Sequence, residues 1–202
     1  MTSEAITTEE AILAAARKVF SRQGLQGARM QDIADEAGIN KALLHYYFRS
    51  KEKLFEIVFR EAFSKFARNV RELVMSEASF EVKIDSFVEN YIDLLLENPY
   101  LPGFIIGELN SQPERLLEFI SSRGLPLDAF LGQLESEAAA GRIRAVNGKH
   151  LLVNMIALCV FPFLGKPVLR GILFANDDNA FRDFLLERKQ TVKALIHASL
   201  KP

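Results

Sequence analysis

Apolar positions recur every three or four residues along most of this chain, and the rhythm breaks at glycine, asparagine and proline. The first stripe is Ile12, Ala15, Ala16, Val19 and Phe20. A Thr7–Glu10 capping box opens it and Gly24 stops it, which predicts a helix from about Thr8 to Arg22. Met30, Ile33, Ala34 and Ala37 predict a short second helix starting at Arg29. Gly38 then supplies the left-handed residue that ends a helix without a Cβ clash, and Ile39 pins the turn into a core. Asn40 is suited to cap a third helix, Lys41 to Tyr47, that buries Leu44 and Phe48. Ser50 caps a fourth, beginning at Lys51, whose stripe of Leu54, Phe55, Val58, Phe59, Ala62, Phe66, Val70 and Leu73 spans roughly six turns.

Prolines divide the rest. All seven lie from Pro99 onward, so the chain begins as long uninterrupted helices and becomes more broken later. A helix from Phe80 to Glu97 carries Ile84, Phe87, Val88, Tyr91, Ile92 and Leu95 on one face. Short helices follow over Leu101–Asn110, from Pro113, and over Leu127–Ala140 up to Gly141. Asn147 caps a long segment through Phe163, expected to bend or break at Pro162, and Asp178 caps the last helix, to about Leu200. Nothing alternates with period two over a strand's length. The fold class is all-α, with roughly nine to ten helices: a three-helix head over residues 6–66, with its fourth helix leading away, and a larger helical domain over 67–202.

Within the head, residues 29–48 (RMQDIADEAGINKALLHYYF) are two short helices joined by a glycine turn. Small Ala34, turn Gly38 and apolar Leu44 hold the spacing by which a helix-turn-helix crosses its helices closely and lays the second in the DNA major groove. Charge adds to this picture. Between Arg17 and Lys53 eight basic residues face four acidic ones, a net of +4, which leaves −5 for the rest of a chain whose total is −1. A basic head on an acidic body suits a directional binder of phosphates.

Composition is that of a folded, cytoplasmic protein: 49% of residues are hydrophobic and the N-terminus MTSEAITTEE carries no signal-peptide pattern. The longest apolar stretch, Leu151 to Gly165, contains Asn154 and Pro162 and is shorter than the roughly 20 residues a membrane span needs. It reads as core or interface, and Cys159 within it as a buried, inert thiol.

The run VFSRQG, followed by IADEAGINKALLHYYFRSKEKL, resembles the N-terminal domain of the TetR family of bacterial transcriptional repressors. Phe20, Gly24, Ile33-Ala34, Ala37-Gly38-Ile39, Leu44, Tyr47-Phe48, Lys51 and Leu54 match in register, over about the first third of the chain. Arg29 stands where that family usually has Thr, His45 where it usually has Tyr, and Ala42-Leu43 where it usually has Gly-Thr. These departures bear on which DNA is read, not on the fold. The resemblance implies a ligand-responsive regulator: a homodimer on a palindromic double-stranded operator, released by a small-molecule effector held in the second domain.

The candidate DNA contacts are Arg29, Gln31, Asn40, Lys41, Ala42, Leu43, His45, Tyr46, Tyr47 and Lys51. Gln31 has the amide that pairs with adenine; Ala42 and Leu43 suit a thymine methyl; Tyr46 and Tyr47 bring hydroxyls to phosphates, with Tyr47 partly in the core. Lys51 opens a helix, where its charge opposes the dipole, so a phosphate in front of that terminus would resolve the conflict. Asn40 serves as a cap whether or not it touches DNA.

The second domain is phenylalanine-rich, with 12 of 16 from Phe63 onward. An apolar or amphipathic effector is expected among Tyr91, Phe104, Glu108, Asn110, Phe130, Asn154, Leu158 and Phe161, although the phenylalanines equally suit plain core packing. Leu151–Phe163 is apolar nearly all round and Ala180–Leu200 is strongly apolar, which points to a four-helix dimer interface containing Leu152, Ile156, Phe163, Phe184, Val192, Leu195 and Ile196. No phosphate loop, nucleophile elbow, paired cysteines or His/Cys ligand spacing marks an enzyme, a metal site or a cofactor. The alternative to a regulator is a dimeric helical interaction protein that has lost specific DNA binding.

Overall fold

A computed structural model describes residues 7–202, which form eleven α-helices and, among these described residues, no strand. The head comprises α1 (Thr8–Gly27), α2 (Met30–Ala37), α3 (Lys41–Tyr47) and the first half of α4 (Lys51–Met75). Local chemistry sets each boundary. The Glu10 amide donates to Thr7 Oγ1 at 3.2 Å while the Glu10 carboxylate accepts from the Thr7 amide at 2.8 Å, closing the capping box. Gly24 breaks the helical backbone at φ 66, where the stop was expected, and one further turn runs on to Gly27. Gly38 sits at φ 68, and a Cβ there would meet nothing within 4 Å. Backbone conformation, not space, therefore demands glycine. The Ile39 amide reaches back to the Ala34 carbonyl at 3.0 Å and the Gly38 amide to Asp35 at 3.1 Å, which completes a Schellman stop. Asn40 Oδ1 accepts from the Leu43 amide at 2.8 Å and Ser50 Oγ from the Lys53 amide at 3.2 Å.

The body follows as α5 (Phe80–Glu97), α6 (Leu101–Ser111), α7 (Pro113–Ser121), α8 (Leu127–Ala139), α9 (Gly148–Leu164), α10 (Lys166–Phe174) and α11 (Asp178–Leu200). Three details depart from the sequence reading. The cap of α11 is Asp177, which accepts from the Asn179 and Ala180 amides at 2.8 and 3.1 Å, one residue earlier than expected. A separate helix, α10, lies between α9 and α11. And α9 runs through Pro162, the 73° turn coming instead at Gly165. Proline has no N–H for the carbonyl four residues back. That carbonyl, of Leu158, is supplied from another helix: Arg188 Nη2 donates to it at 3.1 Å.

Two cores share α4. One joins Phe20, Ile33, Leu44, Leu54 and Phe55 of the head to Tyr100, Leu101, Leu116 and Phe119 of α6 and α7. The other packs α5, α8, α9 and α11 around Ile84, Val88, Ile92, Met155, Cys159, Val192 and Ile196. Since α4 is continuous, the expected boundary between residues 66 and 67 falls inside a helix. Cys159 is buried as expected, its thiol pushed up to about 12 by desolvation. Helices α5 and α11 run antiparallel beneath a ladder of polar pairs at four-residue steps on each: the ion pairs Lys189–Asp93 at 2.5 Å and Lys193–Glu89, and a hydrogen bond between His197 and Asp85 at 2.6 Å. Pairs whose carboxylates stand half in solvent set register more than they add stability.

The register of α3 is directly testable. Leu44 is 0% exposed and Leu43 37%. Leu44→Ala is expected to lower unfolding free energy by about 2–5 kcal/mol, whereas Leu43→Ala leaves thermal melting within about 0.5 kcal/mol of the parent. The reverse order would place the core on the wrong face of this helix.

Candidate nucleic-acid interface and effector cavity

The outer face of α3 is built by burying its inner one. Leu44 and Phe48 turn into the head core, which leaves Lys41, Ala42, Leu43, His45 and Tyr46 exposed, Tyr46 by 81%. Tyr47 is half-covered, packed edge-on to Tyr46 at 5.5 Å and against Phe48 at 6.4 Å between centroids. Arg29, expected as the first residue of α2, is instead its N-cap, extended and exposed. Gln31 is exposed, its amide donating to Asp35 at 2.8 Å. Asn40 is committed as a cap. Lys51 is half-buried, with Nζ 3.5 Å from the Gln26 carbonyl, a contact at the limit of a hydrogen bond.

Ion pairing sorts the head's charges. Of the eight basic residues from Arg17 to Lys53, four meet carboxylates: Arg17 with Glu61, Lys18 and Arg22 with Glu36, and Lys53 with Glu56. The guanidinium of Arg22 and the ammonium of Lys18 hold the Glu36 carboxyl below the usual range. Arg29, Lys41, Arg49 and Lys51 make no ion pair among the described residues, and all four stand at the ends of α2, α3 and α4 beside the exposed face. Arg49 was not singled out from sequence; its signal was a cation placed between buried Phe48 and the Ser50 cap.

The body contains an apolar cavity of about 280 Å³ between α4 and α9, walled by Phe63, Phe66, Phe87, Ile105, Phe130 and Met155 among others. Its size is at the lower end of the ~300–1,000 Å³ typical of small-molecule sites. Tyr91 and Phe130, expected in a pocket, line it, and burial pushes the Tyr91 hydroxyl up to about 12. The other expected pocket residues do not. Phe104 and Glu108 border a different cleft, of about 730 Å³, between the end of α1, α6 and the α9–α10 turn. Asn110 is exposed near the end of α6, and Leu158 is half-buried in the second core. Asn154 is exposed and Phe161 is 61% exposed, both on the outer side of α9. Lys83, absent from the sequence reading, also lines the cavity. Its signal was a lysine in the apolar stripe, three residues after Phe80 and four before Phe87.

The expected dimer residues separate in the same way. Val192 and Ile196 are buried within the chain's own second core, beside α5. Leu152 and Ile156 belong to the cavity wall, with Ile156 also 44% exposed. Phe163 is half-buried against the second core, and Phe184 packs with Phe174 at 5.2 Å and Phe181 at 5.9 Å. Leu195 remains half-exposed. Other exposed apolar side chains on α9 and α10 are Val153, Phe161, Val168, Ile172 and Leu173. No single helix among the described residues is long and apolar enough to cross a membrane, and none of their His, Cys, Asp and Glu side chains form a group of three or more able to hold a metal ion.

Comparison with known proteins agrees with this geometry. Residues 12–58 match the family model described as bacterial regulatory proteins, tetR family. The chain is 34% identical over 189 residues to the HTH-type transcriptional repressor NicS of Pseudomonas putida, covering 90% of this chain and 89% of that protein. It is 28% identical to the HTH-type transcriptional regulator RutR of Escherichia coli, over 71% of this chain and 68% of that one. Among solved structures, the fold is that of the transcriptional regulator FadR from Bacillus subtilis in complex with stearoyl-CoA, with a TM-score of 0.62, 18% identity, and 94% and 97% of the two chains covered. A TetR/AcrR-family regulator from Thermobifida fusca gives a TM-score of 0.65 at 15% identity, covering 92% and 96%. An exposed α3 on a glycine-turn scaffold, four cations without an ion pair among the described residues at the ends of these helices, and this kinship give one conclusion: the chain belongs to the TetR family of bacterial regulatory proteins, with the helix-turn-helix of α2 and α3 as its DNA-binding head.

Proposed function

We propose that this protein is a transcriptional repressor that acts as a homodimer on a near-palindromic operator and leaves it when a small apolar or amphipathic effector fills the cavity between α4 and α9. The observation that carries the DNA reading is the division of α3, with Leu44 fully buried and Ala42, Leu43, His45 and Tyr46 exposed. Ala42 and Leu43 offer methyl contacts to thymine, and His45 and Tyr46 carry the polar groups of that face. Arg29, Lys41, Arg49 and Lys51 contact phosphates and fix the register of the helix in the groove. The relative NicS is named a repressor, which favours repression over activation.

One head of this size reads few base pairs, and a dimer reads two half-sites about one helical turn, roughly 34–36 Å, or a multiple of it apart. The apolar surface of α9–α11 supports that assembly. Helix α10 has no buried residue, and Ile172 is 76% exposed, an arrangement that a partner's copy of the same surface would cover. Effector and DNA compete through α4. Phe59 belongs to the head core and also lines the cavity, so an occupant that displaces it tilts the helix on which the head rests. By linkage, DNA then weakens the effector by the same factor that the effector weakens DNA.

A mobility-shift titration with DNA from around the protein's own gene tests the reading. Lys51→Ala is expected to weaken operator and random DNA alike and to lower the salt slope by about one unit. Leu43→Ala is expected to change the preference among operator variants and leave random DNA untouched. Absence of any operator preference in the parent protein would favour the interaction-protein alternative.

Assembly is tested separately. Ile172→Arg with Phe161→Glu is expected to convert a dimer to a monomer by analytical ultracentrifugation, with thermal melting of the remaining monomer still cooperative and operator affinity greatly reduced. A double variant that sediments as the parent dimer would move the interface elsewhere.

A further inference from the structure

Two lysines are buried among the described residues, Lys83 at 5% and Lys193 at 9% exposure. They are treated differently. Lys193 meets the carboxylate of Glu89. Lys83 Nζ meets only neutral oxygens, donating to the Val74 carbonyl at 2.7 Å and to Gln133 Oε1 at 2.8 Å, and it forms no ion pair among the described residues. Val74 is the penultimate residue of α4, so the lysine holds a carbonyl at the negative end of that helix. This contact positions the ammonium without neutralising it. An ammonium carries three N–H bonds, and here two are used. Lys83 also lines the cavity, whose walls are otherwise almost wholly hydrocarbon and aromatic. A buried charge without a counter-charge is costly, and an anion brought by an occupant would remove that cost.

We propose that the cavity takes a small apolar carboxylate, its anionic group bound to Lys83 and its hydrocarbon body lying between Phe66, Phe87, Phe130 and Met155. This deepens the reading of the cavity as the effector site and rests on it. The third N–H of Lys83 donates to the ligand carboxylate, a charge-assisted bond in an apolar surround. Tyr91 stands two turns further along α5, about 12 Å of helix rise from Lys83, so it meets the body or far end of the ligand and not the anion. The volume of about 280 Å³ favours a short chain or a single ring system over a nucleotide-bearing thioester.

Isothermal titration calorimetry of the full-length protein with hexanoate, octanoate and decanoate, each against the alcohol of equal chain length, tests the assignment. The acids are expected to bind about ten- to a hundredfold more tightly than the alcohols, the difference made by a hydrogen bond to a charged group. Lys83→Met is expected to bring the acids down to the level of the alcohols, whose own binding persists. Gln133→Glu gives Lys83 a resident carboxylate. It is expected to abolish the acid preference in a protein that melts no lower than its parent, and it decides the matter if Lys83→Met does not fold. Equal binding of acids and alcohols to the parent would overturn the role of Lys83 while leaving the cavity as an apolar site. A lower melting temperature in Lys83→Met with the acid preference intact would reduce Lys83 to a helix cap and overturn the proposal. Failure of both series to bind the parent would remove the cavity reading, and this proposal with it.

Discussion

Everything in this molecule leans on the aromatic stripe of α4. Phe55 packs edge-on to Phe20 of the head at 4.7 Å between centroids and against Phe104 of α6 at 4.8 Å. Phe59 meets the same Phe104 at 4.6 Å and Phe119 of α7 at 5.5 Å. Phe63 stacks on Phe59 at 5.9 Å, and Phe66 reaches Tyr91 of α5 at 5.3 Å. Rings are large and stiff, and their contacts lose energy quickly when a neighbour moves by a fraction of an ångström. One helix thus places the floor of the DNA-binding head and a wall of the cavity in the same packed row. A change at either end must be absorbed by shared side chains.

Polar chemistry around that row does a different job. Glu56 on α4 accepts from Arg60 at 2.9 Å and pairs with Arg115 of α7, and these partners, Arg115 first, hold its carboxyl below the usual range. Glu36 ties two residues of α1 to α2, and Glu61 ties α1 to α4. Such partly exposed pairs contribute little stability apiece. Their effect is selective: they occupy the cations on the flank of the head, whereas Arg29, Lys41, Arg49 and Lys51 meet no carboxylate among the described residues. In the body, Arg188 takes over a carbonyl that Pro162 cannot serve, so α9 stays continuous through a proline that should break it.

The head was legible in the sequence almost residue by residue. Its signals act over three or four positions: the Thr7–Glu10 box, the Gly38 stop, and the Asn40 and Ser50 caps all formed as their spacing required. The division of α3 into buried Leu44 and exposed Leu43 was equally clear, because neighbouring apolar stripes on α2 and α4 left only one face for the core. The faces of α9 were less legible, for a plain reason. Helix α9 is apolar nearly all round, so periodicity carries no information about which face meets what.

The sequence by itself therefore determined the all-helical character, the helix-turn-helix and the concentration of charge, since each rests on bonds or stripes within a few residues. Tertiary structure alone decided that Met155 faces inward while Phe161 and Asn154 face out. It also decided that Val192 and Ile196 are closed over by α5, whose antiparallel ladder of polar pairs with α11 joins residues about a hundred positions apart. The cavity is the gap left where six helices, α4 to α9, fail to fill the space between their aromatic faces. No single segment encodes such a gap. Nor does any segment reveal that Lys83, an ordinary lysine in a helical stripe, lies beside it with neutral partners; that follows from where α4 ends and where α8 brings Gln133.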